Sequence, residues 1–135
     1  MRRMPPKPLP IIPIEDRTYA FAPALVRAYR VNPPRDQVER VIWAQLLRSG
    51  TSVGANTAES GGAQTRPDWL TRRFIALKEL RETKFWLRLY RDTNQSSSHE
   101  ITALLDEASQ LTAIFTTIVK RARANRKAEG SKNPS

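Results

Sequence analysis

Residues 45–59, QLLRSGTSVGANTAE, constrain this chain more than any other stretch. Gln45, Ser49, Ser52, Asn56 and Glu59 follow one another at steps of four and three, a spacing that lines them along one stripe of an α-helix. Towards the N-terminus the stripe reaches Ile42 and Val38, so this face begins as ordinary core and turns polar in its second half. The adjoining series Leu46, Gly50, Val53 and Thr57 is small or slender. A glycine inside a helix costs about 1 kcal/mol relative to alanine, so Gly50 and Gly54 point to close approach by another helix. The stretch reads as the central helix of a bundle, with a polar network at a crowded contact. Asn56 and Glu59 are expected to be at least partly buried there, hydrogen-bonded to Arg48 or to an arginine of the third helix.

The flanking sequence supplies the other helices. Tyr19 to Tyr29 reads as a weak first helix, with Tyr19, Ala22, Val26 and Tyr29 on one face and Leu25 beside it. Pro23 implies either a short helix from about Ala22 or a longer one bent there. Asn32 is placed to cap the second helix, with Pro33 in its first position and Asp36 in its first turn. Gly61-Gly62 ends that helix. Thr65 and Asp68 resemble a capping box around Pro67, starting a third helix that runs to about Asp92. Its apolar residues, Leu70, Phe74, Ile75, Ala76, Leu77, Leu80, Phe85, Trp86, Leu87, Leu89 and Tyr90, occupy so much of its circumference that cover by a second subunit is expected. Ser97 and Glu100 suggest another capping box. The fourth helix then carries a core stripe of Ile101, Leu104, Leu105, Ala108, Leu111, Phe115, Ile118, Val119 and Ala122. Before the bundle lies a proline-rich arm, residues 1–15, unsuited to helix. It is either a docking arm anchored by Leu9, Ile11, Ile12 and Ile14 or a free tail. The bundle domain is expected over residues 16–127 and a disordered tail over 128–135.

Charge narrows the partners. The 135 residues carry a net charge of +10 and a pI of about 10.8, which opposes self-association unless anions neutralise it. On the third helix Lys78, Arg81, Lys84, Arg88 and Arg91 recur at steps of three and four with no carboxylate among them. A run of charge is most often a solvated face. Like charges at these spacings repel, however, and a polyanion lying along them removes the conflict. Lys120, Arg121, Arg123 and Arg126 form a second basic cluster, favourably placed at a helix C-terminus.

Other chemistry is excluded or unsupported. The chain has no cysteine, so it has neither disulfides nor thiol catalysis. Its one histidine, His99, lacks a positioned nucleophile and an orienting partner. There is no phosphate-binding loop of the GxxxxGK[ST] type. Glu79 and Glu82 share a helical face, with Glu107 expected nearby, but no histidine completes a di-metal bundle site. No catalytic residue, metal ligand or cofactor is expected. No apolar run approaches the roughly 20 residues needed to span a bilayer, and prolines interrupt the N-terminal apolar residues, so neither membrane span nor signal peptide is expected. The expected location is cytoplasmic.

LLRSGTSVGANTAE resembles the second-helix signature of the four-helix bundle proteins related to the 23S rRNA intervening-sequence protein. Gln45, Arg48, Ser49, Ser52, Val53, Asn56, Ala58 and Glu59 occupy the places of that pattern, although Ser60 stands where a glycine is usual. ALKELRETKFWLRL, residues 76–89, continues the resemblance, which covers about Tyr19 to Ala124. It implies an all-α antiparallel four-helix bundle assembled as a homo-oligomer, as a barrel-like pentamer in known members. LRETKFWLRL is also similar to the third-helix tract of the branch containing the accessory variability determinant of diversity-generating retroelements. That branch implies binding of nucleic acid and of a reverse transcriptase through a basic surface. The resulting expectation is a non-catalytic nucleic-acid-binding module for RNA or single-stranded DNA. The competing one is a protein-binding assembly scaffold whose charge serves solubility.

Overall fold

The computed structural model describes Met4, residues 11–94 and residues 98–131. These contain four α-helices and no strand: α1 (Ile14–Val31), α2 (Gln37–Gly61), α3 (Arg66–Thr93) and α4 (His99–Ser131). The helices pack in cyclic order, α1 against α2, α2 against α3, α3 against α4 and α4 against α1. Facing residues fix their directions. Arg48 meets Glu82 while Arg72 meets Glu59, so α2 and α3 run oppositely. Arg66 meets Glu129 while Phe74 meets Arg123, and Arg17 meets Glu107 while Asn32 meets Ser98; α4 is therefore antiparallel to both α3 and α1. Short connections permit only this up-down arrangement between successive helices.

The caps differ in part from the expected ones. Asp36, rather than Asn32, caps α2 by accepting from the Glu39 N–H at 2.9 Å. Pro34 disfavours helical geometry at Pro33, so the helix starts beyond the proline pair. Asn32 instead closes α1, donating from both its backbone and side-chain nitrogens to Ala28 O at 2.9 Å. Thr65 caps α3 as expected, accepting from Asp68 N at 3.2 Å. Ser98 Oγ accepts from Ile101 N at 3.2 Å at the start of α4, while Ser97 lies outside the described residues. α4 continues to Ser131, beyond the expected boundary at 127.

α1 begins well before Ala22 and contains Pro23 within its length. Its buried face is Thr18, Phe21, Leu25 and Ala28, not the expected row from Tyr19, which is 71% exposed. The reason lies on α2. A Cβ placed on Gly54 would stand 3.0 Å from Thr18 O and 3.4 Å from Tyr19 Cα. One placed on Gly50 would collide with Leu25 Cδ2. The backbones come so close that α1 presents small Thr18 here and turns Tyr19 outward. Ile14, at the first turn, packs against the core, whereas Ile11 and Ile12 are exposed. Leu9 and most of the proline-rich arm lie outside the described residues.

The core is continuous through the bundle. Trp43 is 1% exposed and lies between Tyr29 and Tyr90, with ring centroids 5.5 Å and 5.2 Å away. Ile101, Leu104, Ala108, Leu111, Phe115 and Val119 supply the α4 face, with Leu105, Ile118 and Ala122 half-buried at its edges. Val38, at the start of the α2 stripe, is 65% exposed, so apolar burial on that row begins only at Ile42. Arg73 occupies a core position of α3. Its guanidinium sits 5.2 Å from the Trp69 ring and 5.8 Å from that of Phe115, and it reaches Glu15 of α1 at 3.0 Å.

Gly54→Ala tests the close α1–α2 contact. Alanine recovers about 1 kcal/mol of helix propensity. Overpacking costs about 1–3 kcal/mol, and the obstructing atoms belong to a helical backbone that moves only as a body. The expected result is a lower Tm by circular dichroism; an unchanged or raised Tm would show that α1 does not press on this site.

Candidate nucleic-acid interface

α3 sorts its charged residues by side. Towards α2 it presents Arg72, Glu79 and Glu82; outward it presents Lys78, Arg81 and Arg88, all exposed, with Lys84 and Arg91 half-buried. The steps of three and four keep these cations on neighbouring rows of the helix. Arg91 pairs with Asp92 at 3.0 Å. Among the described residues, no carboxylate forms an ion pair with Lys78, Arg81, Lys84 or Arg88.

The basic cluster of α4 divides. Arg123 lies over the Phe74 ring at 4.9 Å, and with Arg126 it lines a hollow beside Leu70 and Phe74. The antiparallel α3–α4 packing therefore adds these two arginines to the first half of α3. Arg121 lines a second hollow with Arg66, Trp69 and Ile118, and Lys120 is exposed. Arg123, over Phe74, thus lies about one helical turn of α3 before Lys78, while Arg126 and Arg121 lie nearer the start of α3.

The polar stripe of α2 faces α3. Gln45 Oε1 accepts from Arg48 Nε at 3.1 Å. Ser49 is fully buried, with its Oγ 2.9 Å from Thr83 Oγ1. Ser52 Oγ donates to Arg48 O at 2.7 Å within its own helix. Asn56 is half-buried, donating to Ser52 O at 2.9 Å and accepting from Arg72 Nη1 at 3.5 Å. Glu59 pairs with an arginine of α3 as expected, Arg72 at 2.8 Å, but it is exposed rather than partly buried. Glu107 does not join Glu79 and Glu82; it belongs to the α1–α4 seam, paired with Arg17 at 2.5 Å.

Arg48 sits at the centre of this seam. Its guanidinium pairs with Glu79 at 3.4 Å and with Glu82 more closely. The hydrogen bond from Arg48 holds the Glu82 carboxyl below the usual carboxylate range. Glu79 goes the other way: burial raises its pKa, with attraction from Arg48 opposing and repulsion from Glu82 adding.

The broad apolar distribution on α3 is explained largely within one chain. Ala76, Leu77, Leu80, Leu87 and Tyr90 are buried, while Phe74, Trp86 and Leu89 are half-buried against the core. Because α2 and α4 flank α3 from both sides, its apolar circumference does not by itself require a second subunit. Phe85, 58% exposed, is the exception, and the apolar pattern alone does not set it apart from its neighbours. The distinguishing signal is its position: Arg81 four residues before it and Arg88 three after enclose it on the outward face. His99 is exposed at the start of α4. Among the described residues no group of three or more His, Asp or Glu side chains is placed to hold a metal ion, and no helix is long and apolar enough to cross a membrane.

The sign of the seam electrostatics is testable. Glu82, with a depressed folded pKa, contributes stability above its unfolded pKa that is lost as pH falls through the folded value. Glu79, with a raised pKa, favours folding most when protonated. Arg48→Gln removes the attraction that both ionised carboxylates use. Its Tm is expected to fall below the parent's near pH 7, with the gap closing only as pH falls through the depressed folded value of Glu82, below the ordinary glutamate range. A gap independent of pH would assign Arg48 a packing role only.

The comparisons with known proteins agree with the all-α bundle. The sequence profile of the 23S rRNA-intervening sequence protein family matches residues 15–117. A crystal structure of a protein of unknown function from the S23 ribosomal protein family of Bacteroides thetaiotaomicron superposes with a TM-score of 0.69 at 33% identity, covering 78% of this chain and 97% of that one. No curated protein gives a significant match. The matched span takes in α1 to α3 and more than half of α4, including the whole α2 signature, and the chain therefore belongs to the 23S rRNA-intervening sequence protein family.

Proposed function

We propose that this protein is a non-catalytic nucleic-acid-binding module of the cytoplasm that holds RNA or single-stranded DNA on the outer face of α3. The observation that carries this reading is the unneutralised row of Lys78, Arg81, Lys84 and Arg88, extended by Arg123 and Arg126. Carboxylates are present on the same helix but are engaged on its α2 side. From Lys78 to Arg91 the row rises roughly 20 Å at 1.5 Å per residue, enough to follow several phosphates of one strand. Such binding neutralises phosphates and releases counterions without reading sequence. Assembly of several copies multiplies these contacts. The pentamer implied by the family resemblance and an accessory role beside the reverse transcriptase of a diversity-generating retroelement are the finer forms of this proposal.

A second reading, a protein-assembly scaffold, draws support from another surface. Val31, Val38 and Val41 are 62%, 65% and 48% exposed around the α1–α2 connection. A contact between copies, or with another protein, would cover them.

Changing Arg81, Lys84 and Arg88 together to glutamine separates the two readings. Glutamine keeps helix propensity close to that of the replaced residues, so the bundle should remain folded. Affinity for RNA should fall alike for unrelated sequences. The slope of log affinity against log salt should become shallower by about 0.7–0.9 for each phosphate no longer neutralised. Unchanged affinity and slope in a folded triple variant would remove this row as the site. A parent protein that ignores polyanions at low salt would favour the scaffold instead.

A further inference from the structure

Phe85 is the one large apolar side chain of α3 left exposed among the described residues, and it stands inside the cationic row. Lys84 precedes it, Arg81 lies one turn before and Arg88 one turn after. Its ring is supported by Trp86 in an edge-on contact, with centroids 5.1 Å apart and planes at 81°. Eleven residues earlier, three helical turns back on the same face, Phe74 lies half-buried under Arg123. The face therefore alternates aromatic rings with cations.

Resting on the nucleic-acid reading, we infer that this face selects unpaired strands and that Phe85 is a stacking platform for a base. Cations hold phosphates whether a nucleic acid is single- or double-stranded. A ring can stack only on a base whose face is free, and a duplex hides those faces. A phenylalanine with no polar group contributes nothing to phosphate binding, but it supplies the apolar surface that an unpaired base covers. Charge complementarity argues against a second copy of this chain as the occupant, because that copy brings another +10 charge to a positive face. Phe85 is thus assigned the discrimination between single strands and duplexes, while Arg81 and Arg88 provide the shared electrostatic affinity.

The test is a fluorescence-anisotropy titration of the full chain with a labelled mixed-sequence RNA, single-stranded and as its duplex, across a range of salt. Phe85→Leu should weaken single-strand binding roughly tenfold, in line with stacking losses on removal of an aromatic, and leave duplex binding and the salt slope unchanged. Phe85→Trp should restore the single-strand affinity. Equal effects of Phe85→Leu on both forms, or none on either, would overturn the stacking assignment, while salt-dependent binding by the parent would leave the nucleic-acid reading standing. Failure of the parent to bind either form at low salt would overturn that reading itself. A change in particle mass by light scattering for Phe85→Leu would assign Phe85 to a contact between copies and overturn the proposal.

Discussion

The placement of Arg48 between Glu79 and Glu82 organises the charge of the molecule. These two carboxylates lie one turn apart on α3 and repel each other when both are ionised. Their cation comes from α2, so the neutralisation takes place inside the α2–α3 seam. The outward cations of α3 are left without it. A compact protein with several carboxylates on the same helix thereby keeps an almost purely positive face. Exposed ion pairs are worth little for stability, about 0–1 kcal/mol, so the seam matters more for where charge lies than for how firmly the bundle holds.

Firmness comes from elsewhere. The backbone of α1 lies on Gly50 and Gly54, and Trp43 fills the core between two tyrosines. Buried Arg73 ties α3 to α1 through Glu15, flanked by two aromatic rings. Breaking such a pair by removing one partner leaves a charge in an apolar setting, which is strongly unfavourable. These contacts set the rotation of each helix, and rotation decides which side chains of α3 reach solvent.

Much of this is legible in the sequence where a residue's role is local. The Thr65 cap, the crowding signalled by Gly50 and Gly54, and the outward row from Lys78 to Arg88 follow from spacing alone. Spacing fails where two elements compete. Pro23 disfavours a helix, but the packing of Phe21 and Leu25 on either side carries α1 through it. Asn32 is a good cap by composition, yet the proline pair that follows hands that role to Asp36. Glu59 continues a buried stripe by periodicity, but the end of the seam where it meets Arg72 is open to solvent. Spacing does not single out Arg73, and only the position of Phe115 and Glu15 shows that it points inward. Phe85 is legible as apolar but not as exposed, because exposure depends on how far α4 wraps around α3.

In the proposed reading, one face, made by α3 and the end of α4, holds a single strand. Photo-cross-linking of a thiouridine-bearing single-stranded RNA to the full chain, followed by peptide mapping, locates the contact directly. Adducts are expected on peptides from the outer half of α3, around Phe74 to Arg91, and from the region of Arg123 and Arg126, with α1 unmodified. Adducts concentrated on α1 or around Val38 and Val41 would contradict it.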